Sequence, residues 1–157
     1  MDSERVVELL NKSLGAKIKE ISAPNPRRVY VTLDPADIVE CARTVHKELG
    51  CRFNIASGMQ MQRDFEVLYH FAFEDDTPAG VVATLRVHLD EKAPSVESIS
   101  HVVPAAEWIE REMRELLGIE FRNHPDMRRL LLAEDWPAEV YPLRRGKPWE
   151  GKIEKKL

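Results

Sequence analysis

The sequence predicts an α+β fold in which helices cover a β-sheet and an extended arm follows at the C-terminal end. Three observations lead to this prediction. Five segments alternate apolar and polar residues as strands do, and three segments space their apolar residues as amphipathic helices do. After residue 118 both patterns end. The 157 residues are enough for one domain with a hydrophobic core of its own.

The first half of the chain contains two predicted helices and two predicted strands. The first helix covers Ser3–Leu14 and ends at a glycine. Strands are predicted over Ala16–Ile21 and Arg28–Leu33, which flank a turn with two prolines. The second helix begins at Asp34-Pro35, because these residues offer a capping carboxylate and a proline at the first helical position. Its apolar stripe continues to Gly50.

Three further strands and a third helix are predicted in the second half. The strands cover Cys51–Ile55, Phe65–Phe73 and Val81–Leu89. The last two flank an acidic, solvated turn at residues 74–80, so an antiparallel hairpin is expected. Each strand has an apolar face and a polar face, which is typical of a sheet that helices cover on one side only. The third helix covers Pro104–Leu117.

The chain is therefore predicted to divide into an α+β domain, residues 1–118, and an extended tail, residues 119–157. The tail is too irregular and too rich in proline to fold independently. Its aromatic residues and arginines are nevertheless the types that are enriched in the cores of protein interfaces. We expect the tail to lie on a partner protein. The alternative is that it wraps back over its own domain.

The charge distribution argues against a nucleic-acid partner. The net charge is −4, with a balance of −6 in residues 1–118 and of +2 in residues 119–157. A protein that binds DNA or RNA normally has a dense stripe of Lys and Arg, and this small excess in the tail does not provide one.

The two cysteines and the N-terminal residues indicate a compartment. Cys41 and Cys51 are too few for an iron–sulfur cluster, and an intracellular protein usually keeps such a pair reduced. The N-terminal residues lack the basic-then-apolar layout of a signal peptide. No apolar run approaches the roughly 18 residues that a membrane span requires. We expect a soluble cytoplasmic protein that reaches a membrane only through partners.

One segment of the sequence resembles a known family. Residues Glu110 to Leu132 read EREMRELLGIEFRNHPDMRRLLL. They resemble the signature of the 30-kDa subunit family of respiratory complex I, which reads approximately E-R-E-x-x-D-x-F-G-I-x-F-x-x-H-P-x-L-x-R-L-L-L. The resemblance extends over about residues 1–150. Glu115 and Leu117 replace the usual Asp and Phe, and these departures lean toward the related subunits of membrane-bound nickel–iron hydrogenases and sulfur reductases.

The resemblance implies both a fold and a function. The family fold is a two-layer α-β(2)-α-β(3) sandwich with a mixed sheet. The implied function is that of a cofactor-free structural subunit in the hydrophilic arm of an energy-converting oxidoreductase, on the cytoplasmic face of the cell membrane. Its implied neighbours are a large catalytic subunit with a quinone or nickel–iron site, a small iron–sulfur subunit and, indirectly, antiporter-like membrane subunits.

The resemblance also implies which residues dock on the large subunit. They are Glu110, Arg111, Glu112, His124, Arg128, Arg129, Trp136 and Arg144. From spacing alone, Glu110 would pair with Arg114 and Arg111 with Glu115 on a solvated helix face. The resemblance implies instead that the charges of this helix fix the tail or bind the large subunit. His124 could serve a proton path, or it could simply cap a backbone group in a turn.

Two other classes of function remain as alternatives. The first is a free-standing enzyme that uses Glu112 or Glu115 with His124 as acid and base. The second is a nucleic-acid-binding module built on the arginines of the tail. No catalytic motif, phosphate-binding loop or convergent set of zinc ligands is recognisable, and His70 and His88 fall on polar strand faces without further ligands nearby in sequence.

Overall fold

The computed structural model describes residues 2–74 and 80–146, so part of the predicted acidic turn and the end of the predicted tail lie outside the described residues. Its helices and strands, in chain order, are α1 (Ser3–Leu14), β1 (Ile18–Asn25), β2 (Arg28–Leu33), α2 (Ile38–Arg43), β3 (Arg52–Gln60), β4 (Asp64–Phe73), β5 (Val81–Asp90), β6 (Ser95–Glu97), α3 (Glu107–Leu117) and β7 (Glu120–Arg122).

Five of the strands form one mixed sheet with the order β1-β2-β5-β4-β3. β2 and β5 are parallel, whereas the other neighbours are antiparallel. β4 and β5 pair along their whole length, from Asp64 with Asp90 to Phe73 with Val81, which confirms the predicted hairpin. The α-β(2)-α-β(3) order and the mixed sheet are therefore as predicted.

The helices pack on one face of this sheet. The predicted inward rows of β4 and β5, from Phe65 to Phe73 and from Val81 to Leu89, are buried. The apolar stripe of α1 is also buried, and this helix contacts β1, β2 and β5. The opposite face carries polar groups that bond to one another across the strands. His70, for example, lies between the hydroxyls of Ser57 and Thr84, at 3.0 and 2.8 Å. This arrangement explains the two different faces of each strand.

The second predicted helix is not a uniform α-helix. Its start is as expected, because the Asp34 carboxylate accepts a hydrogen bond from the Ala36 N–H. After a 3₁₀ turn and α2, however, residues Thr44–Glu48 form a π-helical turn, in which the Leu49 N–H bonds to the Thr44 carbonyl. Apolar spacing could not reveal this, because one turn with i→i−5 bonds hardly changes which residues face the core.

Several strand boundaries also differ from the prediction. β1 begins later than expected because Gly15–Lys17 form a 3₁₀ turn, and it continues to Asn25, which pairs with Arg28 of β2. β3 continues to Gln60, beyond the alternating residues. The short strands β6 and β7 pair in parallel and were not predicted, since three residues are too few for a periodic signal. Through β7, the first residues of the predicted tail join the domain, and Ile119 and Phe121 are buried in its core.

We predict that Gly118 is needed both for the end of α3 and for the packing of the tail. Its φ is +69°, and a Cβ atom there would lie 2.5 Å from a ring carbon of Tyr141. Gly118→Ala should lower the free energy of unfolding by about 2–4 kcal/mol, because backbone strain and steric overlap add. Gly50 has the same φ with open space around it, so Gly50→Ala should cost only about 1–2 kcal/mol. Urea denaturation measures both, and equal losses would contradict the prediction.

Candidate functional site

Helix α3 contacts different parts of the structure on each of its sides. Met113 and Leu117 pack on Gly58 of β3, where a side chain on Gly58 would leave no room for them. Glu110 points toward the centre of the sheet. Arg111 and Glu115 point away from the sheet, where residues 126–132 of the tail cross the helix. The helix is therefore a layer between the sheet and the tail.

Glu110 is fully buried and accepts three hydrogen bonds. The donors are the Tyr69 hydroxyl of β4 at 2.9 Å, the Ser98 hydroxyl at 2.5 Å and the Ile99 N–H at 3.0 Å. Burial raises the pKa of the Glu110 carboxyl, although these three donors act in the opposite direction. Burial, together with the neighbouring carboxylate, raises the pKa of Tyr69 well above its usual value. The group connects the sheet, α3 and the loop before α3.

His124 fixes the turn at the start of the tail. Its Nδ1 accepts a hydrogen bond from the Asp126 N–H at 3.1 Å, so Nε2 carries the proton and donates to the Glu107 carbonyl at 2.9 Å. The side chain is completely buried, and Nε2 lies 3.8 Å from a carboxylate oxygen of Glu110. The imidazole therefore caps backbone groups in this structure, which is the simpler of the two roles that the sequence suggested.

Arg111 and Glu115 together hold the backbone of residues 128–131, and we call this pair the α3 clamp. The Arg111 guanidinium donates to the Arg128 carbonyl at 2.9 and 3.1 Å and to the Arg129 carbonyl at 3.0 Å. Glu115 accepts from the N–H groups of Leu130 and Leu131 at 3.1 and 2.7 Å. Burial opposes ionisation of Glu115, but the tail N–H groups outweigh it and hold its pKa below the usual range.

The charged face of α3 is thus different from the predicted one. The expected pairs Glu110–Arg114 and Arg111–Glu115 are not among the ion pairs of the described residues, and Arg111 instead lies 3.5 Å from Asp126. Glu110, Arg111 and Glu115 are buried rather than solvated. The pairs and the solvated face expected from spacing are wrong, because helical spacing shows which residues share a face but not what covers that face. The alternative implied by the resemblance, that these charges fix the tail, agrees with the bonds of Arg111 and Glu115 to residues 128–131.

The remaining arginines of the predicted docking set bond within the chain. Arg128 forms an ion pair with Asp126 at 2.7 Å and holds the pKa of that carboxyl far below its usual range. Arg129 donates to the carbonyls of Ala133 and Trp136. Arg144 donates to the Leu117 carbonyl at 2.6 Å, and its guanidinium lies over an aromatic ring of the core, Phe65, at 5.0 Å from the centroid.

The last two predicted docking residues differ from each other. The indole N–H of Trp136 donates to the Val140 carbonyl at 2.8 Å, inside the tail. Glu112 is half-buried on α3, and across residues 2–74 and 80–146 it has neither a hydrogen bond nor an ion pair. Among the charged members of the set, it is the one to which the described residues provide no bonding partner. Docking on a partner stays a prediction for all eight residues.

The tail leaves a hollow of about 520 Å³ above α3. Its lining includes three arginines and two aromatic residues, namely Arg111, Arg114, Arg129, Trp136 and Tyr141. The part of the chain that is described contains no group of three or more His, Cys, Asp or Glu side chains that could hold a metal ion. Within the same residues, no helix combines the length and the apolar character needed to cross a membrane.

The two cysteines lie away from this site. Both are buried and unpaired, and burial raises the pKa of the Cys41 thiol to about 11 and that of Cys51 to about 12. The thiols are therefore protonated at neutral pH.

His88 lies on the polar face of the sheet, where its Nδ1 is 2.7 Å from a carboxylate oxygen of Asp64.

Sequence reasoning missed three residues of the site. Tyr69 was placed correctly in an inward row, and a buried hydroxyl needs a partner, so its bond to a carboxylate could have been anticipated. Ser98 lies in a loop without any periodic signal. Asp126 occupies a variable position of the recognised signature, and its contacts depend on how the tail folds back.

Comparison with known families gives a match over most of the chain. The model described as "Respiratory-chain NADH dehydrogenase, 30 Kd subunit" matches residues 31–153. A subunit of the F(420)H(2) dehydrogenase of Methanosarcina mazei is 34% identical over 156 residues, which are 96% of this chain and 94% of the relative. A subunit of the NADH-quinone oxidoreductase of Chelativorans sp. is 34% identical over 130 residues, 79% of this chain but only 62% of the relative.

Two other similarities differ in kind. Formate hydrogenlyase subunit 5 of Escherichia coli is 42% identical over 81 residues, which are 52% of this chain but 14% of that much longer relative. A chain of the membrane-bound sulfane sulfur reductase, an archaeal respiratory membrane complex, superposes with a TM-score of 0.75 at 17% identity, over 88% of this chain and 81% of that chain. At this identity the structural similarity shows a shared fold.

We predict that Glu110→Gln removes a pH dependence of stability. The pKa of Glu110 is raised on folding, so its contribution favours the folded state below about pH 4 and is lost as the pH rises through the folded pKa. A glutamine can keep the bonds to Tyr69 and Ile99 without carrying a charge. The free energy of unfolding of the variant, relative to that of the natural chain, should therefore increase from pH 4 to pH 7. Glu112→Gln is the control and should show no such trend.

We also predict that Arg111→Lys loosens the tail. Lysine keeps the charge but cannot bond to two successive carbonyls with a planar fork, so a loss of about 1–3 kcal/mol is expected. Amide exchange at residues 128–131 should become faster. Arg114 is exposed and has one 3.3 Å bond to Met127, so Arg114→Lys should change stability by less than about 0.5 kcal/mol. Unchanged exchange in the Arg111 variant would rule out the α3 clamp.

Proposed function

The chain belongs to the 30-kDa subunit family of respiratory-chain NADH dehydrogenase, and from this premise we propose that it is a non-catalytic subunit of a membrane-bound oxidoreductase complex. Its role is to dock on a large catalytic subunit and to support electron transfer that is coupled to ion translocation. The electrons pass through cofactors of the partner subunits, namely iron–sulfur clusters and a quinone or nickel–iron site. The complex presents this subunit on the cytoplasmic side of the membrane.

One observation carries the proposal. The segment that resembles the family signature, from Glu110 to Leu132, uses most of its charged groups to bond the chain's own backbone and core. A catalytic acid or base must reach a substrate with a free lone pair or proton. Glu110, Glu115 and His124 are buried, and their side-chain oxygens and nitrogens are bonded to tail and core groups, so a substrate does not reach them. The signature residues therefore fix the position of the tail on α3 and so define the surface that the tail presents. A surface with a fixed geometry is what a scaffold subunit needs in order to bind a partner.

The relatives support a large subunit as the partner. In formate hydrogenlyase subunit 5, the segment similar to this chain makes up only 14% of a much longer polypeptide. In that relative, the similar segment and the rest of the protein are therefore parts of one chain. Where the two parts are separate chains, we expect them to bind each other. The small iron–sulfur subunit would be a second neighbour, and antiporter-like membrane subunits would be reached indirectly.

The tail provides the apolar part of the proposed docking surface. The side chains of Leu131 and Leu143 are 61% and 60% exposed, although both belong to segments whose backbones are held by α3. Large apolar side chains that are exposed on a fixed backbone lose little entropy when they bind. We propose that these two leucines insert into the large subunit, and that the α3 clamp and Arg144 hold them in position.

The two alternative functions are less well supported. An enzyme that uses Glu112 or Glu115 with His124 would need these groups to converge on a cleft, whereas Glu115 and His124 are bonded to separate parts of the tail backbone. A nucleic-acid module would need arginines that are free to bind phosphates, whereas the exposed Arg128 is paired with Asp126 and Arg129 binds backbone carbonyls.

We predict that Leu131→Ser combined with Leu143→Ser separates the chain from its partner without unfolding it. Burial of one leucine at an interface contributes about 1.5–3 kcal/mol, so the pair should lower affinity at least a hundredfold. The test is purification of the tagged chain from its native membranes in mild detergent, followed by mass spectrometry. The matched control is Glu8→Ser with Asn11→Ser, two exposed changes on α1.

The proposal requires that the unaltered chain and the α1 control recover a large subunit together with iron–sulfur and membrane subunits. The leucine variant should recover the chain alone, with an unchanged unfolding temperature. If the unaltered chain is recovered alone and monomeric, the scaffold function is wrong. If the leucine variant retains the partner, the docking surface lies elsewhere.

A further inference from the structure

The two edges of the five-stranded sheet are protected to different degrees. β1 has two irregularities in its pairing with β2, and it carries Pro24 and the charged residues Lys19 and Glu20. Prolines, charges and bulges are the usual means by which an edge strand avoids pairing with another chain. β1 is therefore built as a terminal strand of the sheet.

β3, at the other edge, lacks most of these features. It has nine residues without proline, its only charged residue is Arg52 at the beginning, and its pairing with β4 is continuous from Ile55 to Gln60. Within the described residues, β4 is the only strand that pairs with it. Ile55 and Met59 are 51% and 40% exposed on the outer face of this strand. A long, regular and apolar edge offers unpaired backbone N–H and C=O groups to another strand.

Helix α3 packs over β3, on the helix-covered face of the sheet at this edge. Glu110 points from α3 toward β4, and Met113 and Leu117 sit on β3. With about 100° per residue, Glu112 lies about 160° around the helix from Glu110 and about 100° from Met113, on the side that faces outward past β3. A strand added to β3 would therefore meet the Glu112 carboxylate.

The tail limits this surface at one end. The Arg145 N–H donates to the Gln60 side chain at 2.6 Å, and the Leu143 N–H donates to the Leu116 carbonyl at 3.0 Å. The tail thus reaches the last residue of β3 and leaves the preceding edge uncovered by the described residues. The edge is continuous with the tail surface that carries Leu143, so one partner can occupy both.

The charge of Glu112 indicates the chemistry of the occupant. Its half-buried carboxylate has no partner in the described chain, in contrast to the other charged residues of the predicted docking set. A partly desolvated carboxylate beside an interface favours an incoming cation, because the opposite charge compensates for lost hydration. Lys or Arg on the added strand would supply this cation.

We propose that an extended segment of the large partner subunit adds to the free edge of β3 as a sixth strand and brings a Lys or Arg side chain to Glu112. The inference rests on the proposed function and deepens it by naming the kind of segment that binds. Backbone hydrogen bonds to β3 supply much of the affinity, and Ile55 and Met59 select apolar side chains on the outer face of the segment.

The first test is a photo-crosslinking amino acid at position 55 in the tagged full-length chain, expressed in its native cells. The matched control carries the same group at Ser22, on the opposite edge. Position 55 should crosslink to a strand-forming peptide of the large subunit, and position 22 should give no such product. Amide exchange in the isolated complex should show loss of exchange along residues 53–59 relative to the free chain, without a comparable loss in β1.

The second test is charge reversal. Glu112→Lys should lose most of the large subunit from the purified complex while the free chain keeps its unfolding temperature, and Glu112→Asp should retain it. Glu91→Lys makes the same change at an exposed position after β5 and should assemble normally.

The outcomes separate this inference from the proposed function. If the large subunit is recovered with the chain but position 55 gives no crosslink and β3 exchanges as in the free chain, the sixth strand is wrong and the scaffold function stands. A crosslink from position 55 to a second copy of this chain would also overturn the inference. If the purified chain brings no large subunit with it, the proposed function fails first.

Discussion

Arg111 and Glu115 hold a stretch of tail backbone that forms neither helix nor strand. Polar backbone groups near a protein surface must be bonded to water or to the protein, and a segment without regular structure normally relies on water. Here a guanidinium, which only donates, takes two successive carbonyls, and a carboxylate, which only accepts, takes the next two N–H groups. One turn of α3 thereby replaces the neighbouring strand that this segment lacks, and the position of the rest of the tail depends on it.

Glu110 performs the corresponding task on the other side of the helix. Isolated burial of a carboxyl group is costly, but three donors from the sheet and the preceding loop compensate for the loss of water. Because these donors come from different parts of the chain, the group fixes the position of α3 relative to all of them. The same arrangement leaves the carboxyl without access to a substrate. A residue type that is usually associated with catalysis thus has a structural role here.

The sequence predicted the sheet better than the site, and the reason is physical. The inward rows of β4 and β5 could be identified because alternation over nine or ten residues reports burial directly. The burial of Arg111 depends on a segment that lies 17 positions further along the chain and has no periodicity. Likewise, Arg144 finds its carbonyl partner 27 positions away. Contacts of this kind depend on the path of the tail, which local patterns do not encode. The resemblance to the family located the segment and implied that its charges fix the tail or bind the large subunit, but it did not identify the backbone groups that they bond.

The parallel pairing of β2 with β5 has a consequence for how the chain acquires its structure. β3, β4 and β5 are consecutive antiparallel neighbours, so they can assemble through short loops. β2 must instead close a loop of roughly 50 residues before it meets β5, and the entropy of that closure makes the step slow. During synthesis, α1, β1 and β2 emerge first and have no central strand to join until residue 87 has left the ribosome. We therefore expect α1, β1 and β2 to join the sheet only after β5 is available, so that β1 is the last strand added at its edge.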